Sequence, residues 1–487
     1  MRRKFWAGLA ALPILSSCNF TPVGPKYIRP DVPAPPAFKE PPPEGWKNSQ
    51  PNDAGSRGSW WEIYNDPQLN SFEEQVVLNN QNIQVAAANF RSARAAVMAA
   101  RSALLPVVNG GGVLTGSQQS QNRFGGNFVN PTPFADIQFP ITASWTADVW
   151  GRLRNIVQAN VATAQATAGD LESALLSMQA DVAVNYFLLR GSDAEKQLID
   201  TTVSAYQRAL ELTTNRFNQG IASQVDVAQA QTQLESARAA STDTQVLRAT
   251  YEHAIAVLIG KPPAEFSIAP NPLAMDLKPP VTPPELPSEL LERRPDIASA
   301  ERRVAAANAE IGVARAAYYP TVTLAASFGI ETSDLLKLFT WPSRFWSVGP
   351  TLAQTLFEGG QRRAAVEQAQ AAYDATAASY RQTVLTAFEA VENNLSTLRL
   401  LETEAASQAL AVQAAERSLT LANNQYVGGI TNYLQVITAQ QAALGNESAA
   451  IQLLTRRMTA SVNLVVALGG GWNASDLPPA SSFKSVR

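Results

Sequence analysis

Cysteine and histidine are almost absent from this chain of 487 residues, which has one of each. The chain therefore lacks the residues for three kinds of site: a disulfide framework, a metal centre ligated by cysteine and histidine, and a cysteine–histidine catalytic pair. The single histidine, His253, lies in a segment with a helical pattern and is better explained as a packed or surface residue than as a ligand. We therefore expect no metal, no cofactor and no enzymatic activity.

Charge is scarce as well, and its two signs balance. Charged residues make up 16% of the chain and hydrophobic residues 46%, which is enough apolar material for a folded core but little charge for a water-exposed surface. The chain has 38 lysines and arginines against 41 aspartates and glutamates. Nucleic acid is excluded as a partner, because it would require a concentrated basic surface.

The N-terminus has the three parts of an export signal. A basic start, Met1–Lys4, is followed by an apolar run, Phe5–Leu15, that is too short to span a bilayer, and then by Leu-Ser-Ser-Cys ending at Cys18. This ending resembles the bacterial lipobox, in which cleavage leaves a lipidated cysteine. An ordinary signal peptide with a chance cysteine is the alternative, which the lack of any other cysteine disfavours. We predict a signal peptide at 1–17 and a covalent lipid on Cys18. By resemblance to known lipoproteins, an aspartate after the lipid cysteine would retain the protein at the inner membrane, and Asn19 in its place predicts delivery to the outer membrane.

Two segments of the chain occur twice in similar form. Residues 100–106 (ARSALLP) reappear as 314–320 (ARAAYYP), and 215–220 (NRFNQG) as 424–429 (NQYVGG). Internal similarity of this kind is typical of duplicated structural units. Before the first unit, many prolines at 18–60 predict an extended, lipidated tether. The predicted order after the tether is a first repeat at 61–260, a proline-rich linker at 261–287, a second repeat at 288–471 and a C-terminal tail at 472–487.

Long helices are indicated by apolar residues that recur every seven positions, as in coiled coils. The pattern predicts one helix over 360–428, on the order of 100 Å long, and a returning helix over 430–468 of about 58 Å. The returning helix is therefore shorter than the first. A further amphipathic helix over 288–318, about 45 Å long, would lie end to end with it and make up the difference. The first stripe consists of Val384, Val391, Leu398, Ala405, Val412, Leu419 and Tyr426, and the second of Ile437, Leu444, Ile451, Met458 and Val465.

Strands are indicated where apolar and polar residues alternate. Every odd position of 137–149 is apolar, and similar alternation covers 321–330 and 344–354; together with 107–118 this gives four strands per chain. Strands of about ten residues with one apolar and one polar face are typical of a membrane β-barrel around water, although a half-buried strand of a soluble sandwich has the same local pattern. Four strands cannot close a conducting barrel, because even a barrel of about eight strands has an interior that its own side chains fill. A homotrimer would supply twelve strands.

Several segments together resemble one known family. They are Leu290–Arg303 continuing to Ala314–Pro320, Val23–Pro30 after the lipid cysteine, and Leu356–Arg363. Through them the chain resembles the TolC-like outer-membrane efflux proteins, specifically the lipoprotein branch called the OprM or NodT type. The resemblance implies a mainly α fold with a membrane β part, in which a trimeric 12-stranded β-barrel is continued by a long α-helical coiled-coil barrel in the periplasm.

The resemblance also implies a function and partners. Such a channel lies in outer-membrane lipid and passes drugs, toxic compounds or metabolites to the cell exterior. It receives them from an inner-membrane RND-type pump and a periplasmic adaptor, also called a membrane fusion protein. The alternatives that remain are the exit duct of a type I protein-secretion system, a periplasmic adaptor lipoprotein and a structural envelope spacer. Loops 121–135 and 331–343, at the strand ends opposite the helices, are expected outside the cell.

The two helical hairpin turns, 218–223 and 428–432, are expected to form the periplasmic tip of the molecule. Glycine in these turns permits a tight reversal of the chain. By resemblance the tips contact the adaptor, although the same glycines can equally serve as turn residues only. The candidate adaptor contacts are Gly220, Ile221, Gly428, Gly429 and Ile430.

The family resemblance further implies a gate beside these tips. Asp226 and Tyr426 correspond to an aspartate and a tyrosine that hydrogen-bond between neighbouring coiled coils and close the entrance; a solvated charge at Asp226 is the alternative. Relatives carry acidic residues around the closed entrance, whereas Gln435 and Thr438 stand at the matching positions of this chain. Leu434 is then the candidate for an apolar constriction.

Overall fold

The computed structural model describes residues 21–40, 59–118, 133–280 and 290–483. The predicted signal peptide at 1–17 and the predicted lipid site at Cys18 lie outside these ranges. The helices are α1 (Pro67–Asn79), α2 (Gln81–Ser102), α3 (Arg152–Asn218), α4 (Gln224–Leu258), α5 (Leu290–Arg293), α6 (Pro295–Ala316), α7 (Gln361–Val427) and α8 (Tyr433–Ala467). The strands are β1 (Val107–Gly110), β2 (Val113–Ser117), β3 (Phe134–Ala147), β4 (Thr321–Thr332) and β5 (Arg344–Ala353).

Two long helical hairpins, α3 with α4 and α7 with α8, dominate the fold. The single long helix that the heptad stripe predicts over 360–428 is confirmed as α7, and α3 has the same length of 67 residues. Each long helix begins after a glycine with positive φ, Gly151 at 76° and Gly360 at 93°, because the chain must turn sharply from a strand into a helix. Within the described residues, no helix is both long and apolar enough to cross a membrane.

The two halves of the chain have helices of equal length. α2 and α6 each have 22 residues, α3 and α7 each have 67, and α4 and α8 each have 35. In both halves a strand region separates the first helix of this series from the second. The short helices pack beside the long ones, α2 and α6 against α3, and α6 also against α7.

The single helix predicted over 288–318 is wrong, because the described part of this segment forms α5 and α6 with a break at Arg294. Pro295 is the first residue of α6, and a proline disfavours the helical conformation of the residue before it. Arg294 accordingly has φ −106° and ψ 124°. Its guanidinium group bridges the break, donating to the Asp296 carboxylate at 3.0 and 2.7 Å and to the Ala467 carbonyl oxygen at 2.7 Å.

The strands form one antiparallel sheet in which β1 and β2 both pair with β3, β3 pairs with β4, and β4 pairs with β5. β1 and β2 together correspond to the single strand predicted at 107–118, and they share one register along β3. Their pairing is interrupted where Gly111 faces Pro140: the Gly111 N–H donates to the Pro140 carbonyl oxygen at 3.0 Å. Proline has no N–H to donate in return, and the ladder therefore breaks at this point.

The register places apolar side chains of three strands in rows on one face of the sheet. Ile141 of β3 lies opposite Phe328 of β4, which lies opposite Trp346 of β5. Their exposed fractions are 53%, 56% and 75%. In the described part of the chain, β1 with β2 at one edge and β5 at the other each pair on one side only. The sheet thus has an exposed apolar face and two open edges.

The hydrophobic core surrounds the middle of the long helices α3 and α7, where the C-terminal ends of α4 and α8 pack against them. One cluster joins α1, α3, α4 and α8 and includes Leu69, Tyr186, Ile255 and Met458. A second cluster joins α6, α7 and α8 and includes Ile297, Tyr380, Leu395 and Leu464.

The described part of the predicted tether, residues 21–40, forms an extended strap that begins beside Trp150 of the first half and continues along α6 and α7 of the second half. At its start the Val23 N–H donates to the Trp150 carbonyl oxygen at 3.0 Å. Further along, Val32 is buried in the second cluster. At its end the Arg399 guanidinium of α7 donates to the Glu40 carboxylate at 2.6 Å. The tether is therefore docked on α6 and α7 over this length.

Candidate functional site at the helical tips

The first hairpin reverses through a Schellman motif. Gly220 donates its N–H to the Phe217 carbonyl oxygen and Ile221 donates its N–H to the Arg216 carbonyl oxygen, both at 2.8 Å. This motif requires one residue in the left-handed conformation after the helix, and Gly220 has φ 75°. The turn role of Gly220 is therefore confirmed.

The second hairpin uses the same motif. Gly429 donates its N–H to the Tyr426 carbonyl oxygen at 3.1 Å, and Ile430 donates its N–H to the Gln425 carbonyl oxygen at 2.9 Å. Gly429 is left-handed, with φ 73°. Gly428 has φ −71° and is helical, so the turn does not require glycine at that position.

Each tip exposes an isoleucine at the position after the left-handed glycine. In a Schellman motif this side chain commonly packs back on the last helical turn. Here the exposed fraction is 62% for Ile221 and 79% for Ile430. The five candidate adaptor contacts thus present backbone and apolar side chains to the outside.

Asp226 has a structural role at the start of α4. Its carboxylate accepts from the Ser223 N–H at 2.9 Å, and its own N–H donates to the Ser223 hydroxyl oxygen at 3.2 Å. This is a capping box, which satisfies two N–H groups of the helix start that have no partner within the helix. Within the chain, Asp226 therefore bonds to Ser223 and the predicted hydrogen bond to Tyr426 is not formed.

Tyr426 is held instead by Arg216, which the sequence analysis did not identify. The Arg216 guanidinium carbon lies 4.6 Å from the centre of the Tyr426 ring, and its Nη1 donates to the Tyr426 carbonyl oxygen at 3.0 Å. This contact ties the end of α3 to the end of α7 and so brings the two tips together. The only sequence signal was the position of Arg216 in the last turn of a helix, where a cation is favourable.

A small apolar cluster lies directly behind the tips. It contains Tyr426, Tyr433, Val436, Ile437 and Ala230. The two tyrosine rings are tilted by 53° with their centres 5.2 Å apart. Burial, together with the nearby tyrosines and Asp226, raises the pKa of Tyr433 to about 12, so its hydroxyl keeps its proton at neutral pH.

The three other candidate gate residues share one exposed face of α8. Leu434, Gln435 and Thr438 are exposed, whereas Tyr433 and Val436 beside them are buried. Positions i, i+1 and i+4 fall on one side of a helix. Leu434 has an exposed fraction of 50%. This face carries no charge at these three positions.

Metal ligation finds no support in the geometry. Among the described residues, no three histidine, cysteine, aspartate or glutamate side chains cluster in a way that could hold a metal ion. His253, expected from the sequence to be either a packed or a surface residue, is exposed on α4.

Comparison with known proteins assigns the family. The family described as outer membrane efflux protein matches residues 74–261 and again 286–470, which together make up most of the chain. The probable efflux pump outer membrane protein TtgC of Pseudomonas putida is 30% identical over 466 residues, covering 94% of each protein. The pyoverdine export outer membrane protein OpmQ of Pseudomonas aeruginosa is 30% identical over 431 residues, covering 87% of this chain and 89% of OpmQ.

The fold agrees with this assignment. The solved outer-membrane channel OprN has a TM-score of 0.82 and 28% sequence identity, covering 92% of this chain and 99% of the OprN chain. Sequence and fold thus point to the same TolC-like channels, which transport molecules and are not enzymes. The chain belongs to the outer membrane efflux protein family.

Proposed function

We propose that the chain forms, as a homotrimer, the outer-membrane exit duct of a tripartite efflux pump. The observation that carries the trimer is the open sheet, with unpaired edges at β1 with β2 and at β5 among the described residues. An exposed strand edge leaves backbone N–H and C=O groups without partners, which is not tolerated in lipid. Pairing β5 of one protomer with β1 and β2 of the next removes every edge. Three copies then give a barrel of twelve strand positions.

The exposed apolar face of the sheet supports the membrane location of this barrel. Trp346, Val348 and Leu352 of β5 have exposed fractions of 75%, 62% and 69%. Alternating apolar and polar positions along such strands place the apolar side chains toward lipid and the polar ones toward a water-filled lumen. The loop between β4 and β5 would then face the exterior. The corresponding loop between β2 and β3 lies largely outside the described residues.

The equal helix lengths in the two halves support the two tandem repeats at 61–260 and 288–471. Two matches of one family model, each covering one half, support them further. With internal duplication, three chains provide six long helices and six returning hairpin arms, which suits a cylindrical duct below the barrel.

The partners follow from the relatives and from the tips. TtgC is named as an efflux pump component, and we propose a periplasmic adaptor and an inner-membrane RND-type pump as partners of this chain. The exposed Ile221 and Ile430 would contact the adaptor. One relative at 30% identity is named for pyoverdine export, whereas the other is named only for an efflux pump. The cargo is therefore proposed only as small molecules. A lipid on Cys18 would add a membrane anchor to the barrel.

The first test is conduction. We expect the purified full-length protein to migrate as a trimer in detergent by light scattering and to give discrete single-channel currents in a planar lipid bilayer. A periplasmic adaptor or an envelope spacer would give no current. A monomer, or a trimer with no current at any voltage, would refute the proposed duct.

We propose that Leu434 and the Asp226–Tyr426 pair, bonded between coiled coils of neighbouring protomers, close the entrance. Leu434→Ala combined with Asp226→Ala should raise the basal single-channel conductance severalfold, because both the apolar constriction and the hydrogen bond are lost. The capping box complicates this test, since losing the cap alone costs about 1 kcal/mol. Leu434→Ala with Ser223→Ala is the matched control, because it removes the cap and keeps the Asp226 carboxylate. Equal conductance in both double variants would mean that fraying of α4 raises the conductance, and that the Asp226 carboxylate does not help to close the entrance.

The uncharged face formed by Leu434, Gln435 and Thr438 predicts weak block by cations. Acidic rings around a narrow axis would bind multivalent cations, and neutral amide and hydroxyl groups do so poorly. Hexaamminecobalt added on the periplasmic side should leave the current of reconstituted trimers nearly unchanged. Gln435→Glu should introduce block at micromolar concentrations. Tight block of the unchanged protein from that side would show that other acidic residues line the entrance.

A further inference from the structure

The loop between β4 and β5 has an apolar surface. Four of its large apolar side chains are exposed, with exposed fractions of 69%, 93%, 84% and 77% for Leu335, Leu336, Phe339 and Trp341. Single exposed apolar residues are ordinary on a protein surface, but several in one short loop indicate contact with a partner or a membrane. This loop is therefore suited to a membrane boundary and poorly suited to water.

Hydrogen bonds within the loop fix its shape. The Thr340 and Ser343 hydroxyl groups both donate to the Lys337 carbonyl oxygen, each at 2.7 Å. Leu338 is buried, with 7% of its surface exposed. One leucine of the loop thus has a place inside the protein, and the fold leaves the other four apolar side chains outside.

Arg344, the first residue of β5, lies on the apolar face of the sheet. Side chains alternate between the two faces along a strand, so Arg344 shares a face with Trp346 and Leu352. The residue opposite Arg344 in β4 is Ile330, which is apolar and lies on the same face. An exposed cation therefore stands at the outer end of the face that we propose to contact lipid.

The position of Arg344 along β5 corresponds to the level of lipid headgroups. Leu352 lies eight residues further along β5, one residue before the strand ends, which is about 27 Å at about 3.4 Å per residue. A strand tilted by about 40° covers about 20 Å of this along the membrane normal, and the apolar band of such barrels is about 25 Å tall. With Leu352 near the inner boundary of the band, Arg344 lies close to the outer boundary.

The Arg344 guanidinium keeps its hydrogen-bond donors for a ligand. It lies over the Trp341 ring, 4.4 Å from the ring centre, and has no ion pair or side-chain hydrogen bond with any residue that the structure describes. A guanidinium stacked on an aromatic ring is weakly hydrated and presents a planar set of N–H donors that matches phosphate. The other cation of the loop, Lys337, lies 3.5 Å from the Asp334 carboxylate and is partly neutralised.

A cation at the edge of an apolar face selects an anion that also has an apolar part. A free phosphate would satisfy Arg344 and leave Trp341 and Trp346 in water. A lipid with an anionic phosphate headgroup satisfies both, because its acyl chains cover the apolar face and its phosphate oxygens accept from the guanidinium. A zwitterionic headgroup gains less, since its own cation competes with Arg344 for the phosphate.

We propose that Arg344 and Trp341 bind the phosphate headgroup of an anionic lipid in the outer leaflet of the membrane, while the acyl chains of this lipid cover Trp346 and Ile330. A trimer would carry one such site on each protomer. This inference rests on the proposed function, because it requires the sheet to span the outer membrane with the loop between β4 and β5 outside.

Native mass spectrometry of the full-length trimer in detergent measures the binding. The probe is lipid A that carries its phosphate groups, and the matched lipid is the same molecule after dephosphorylation. We expect about one phosphorylated lipid per protomer, bound at least about tenfold more tightly than the dephosphorylated lipid, because the charge-assisted hydrogen bonds need the phosphate. Millimolar inorganic phosphate should not displace the lipid. Complete displacement would identify a site for free phosphate and overturn the lipid assignment.

Variants assign the preference for phosphate to Arg344. Arg344→Gln should lower this preference about tenfold and leave the binding of dephosphorylated lipid unchanged, whereas Arg344→Lys keeps the charge without the planar donors and should retain part of the preference. Arg417→Gln is the matched control, because Arg417 is an exposed arginine of α7, ten residues before the end of that helix. The mass of the trimer in each spectrum shows that the variant has assembled. An unchanged preference in Arg344→Gln, or an equal loss in Arg417→Gln, would overturn the proposal.

Single-channel currents separate this inference from the proposed function. Arg344→Gln should conduct like the unchanged protein, because Arg344 lies on the face turned away from the lumen. Conducting trimers with no preference for phosphorylated lipid would overturn the lipid site and leave the duct standing. Phosphate-dependent lipid binding by a trimer that never conducts would refute the duct and leave the lipid site standing. A trimer that binds neither form of the lipid, because neighbouring copies cover Trp341, would also overturn the lipid site.

Discussion

Replacing Glu73 by glutamine is expected to stabilise the protein at pH 7 by on the order of 2–3 kcal/mol. Glu73 lies on α1 with no exposed surface. Neither carboxylate oxygen has a hydrogen-bond partner among the described residues. Burial alone raises the pKa of this carboxyl to about 9, since an ionised group loses its hydration there.

The sign of the pH dependence follows from the two protonation states. Between the ordinary glutamate pKa and about 9, the folded protein keeps the proton on Glu73 while the unfolded chain releases it. The folded state therefore binds more protons, and its stability falls as pH rises through this window by about 1.4 kcal/mol per unit. Glutamine has the same shape and does not titrate, so this loss disappears.

Thermal unfolding of the purified trimer between pH 5 and pH 9 measures the effect. The melting temperature of the unchanged protein should fall as pH rises, and that of Glu73→Gln should fall clearly less. Glu74→Gln is the matched control, because Glu74 is the next residue on the same helix and is exposed. Parallel melting curves for the unchanged protein and Glu73→Gln would mean that Glu73 has a partner in the assembled protein.

Gly469→Ala is expected to destabilise the protein by about 3 kcal/mol or more, combining left-handed strain with a steric clash. Gly469 follows α8 with φ 98°, and a Cβ at this position would lie 2.1 Å from the Arg293 carbonyl oxygen. The clash involves backbone on both sides and cannot be relieved by a side-chain rotation. The substitution should also separate α5 from the end of α8.

Substitutions at two other glycines distinguish the cost of left-handed backbone strain from the cost of the steric clash. Gly429→Ala places a side chain at φ 73° with nothing within 4 Å, so it should cost only about 1 kcal/mol of strain. Gly445→Ala lies inside α8, also with nothing within 4 Å, and should gain up to about 1 kcal/mol of helix propensity. In chemical denaturation, the free energy of unfolding of Gly445→Ala should therefore exceed that of the unchanged protein. The free energy of unfolding of Gly469→Ala should be far below that of Gly429→Ala. Equal losses at 429 and 469 would contradict the proposed clash.

The long helices were predictable because their signal is local and repeated. A stripe with a seven-residue period from Val384 to Tyr426 leaves little choice but a helix, and α7 contains the whole stripe within its 67 residues. The break at Arg294 was missed because the amphipathic pattern continues across it, although Pro295 gave a local warning. The capping box at Ser223 and Asp226 was also readable, since a serine followed three residues later by an acidic side chain is typical of a helix start.

Other features have causes in distant parts of the sequence. The break between β1 and β2 is caused by Pro140 in the facing strand, so the sequence of 107–118 alone predicts an unbroken strand. Arg216 and Tyr426 are 210 positions apart, and no periodicity indicates that they meet. The candidate gate was predicted from Asp226, Tyr426, Leu434, Gln435 and Thr438, and the contact of Arg216 with Tyr426 became visible only in the folded chain.

The strap at 21–40 has a consequence for the order in which the chain folds. Tyr27 bonds to Glu301, Arg29 to Tyr380 and Glu40 to Arg399, which are 274, 351 and 359 positions away. These three side chains leave the ribosome early and must therefore wait until residues 301–399 have been synthesised before their partners exist. Contacts this distant in sequence form late, because closing such long loops costs chain entropy. The segment nearest the proposed lipid anchor is thus expected to dock after α6 and α7 have formed, as one of the last steps of maturation.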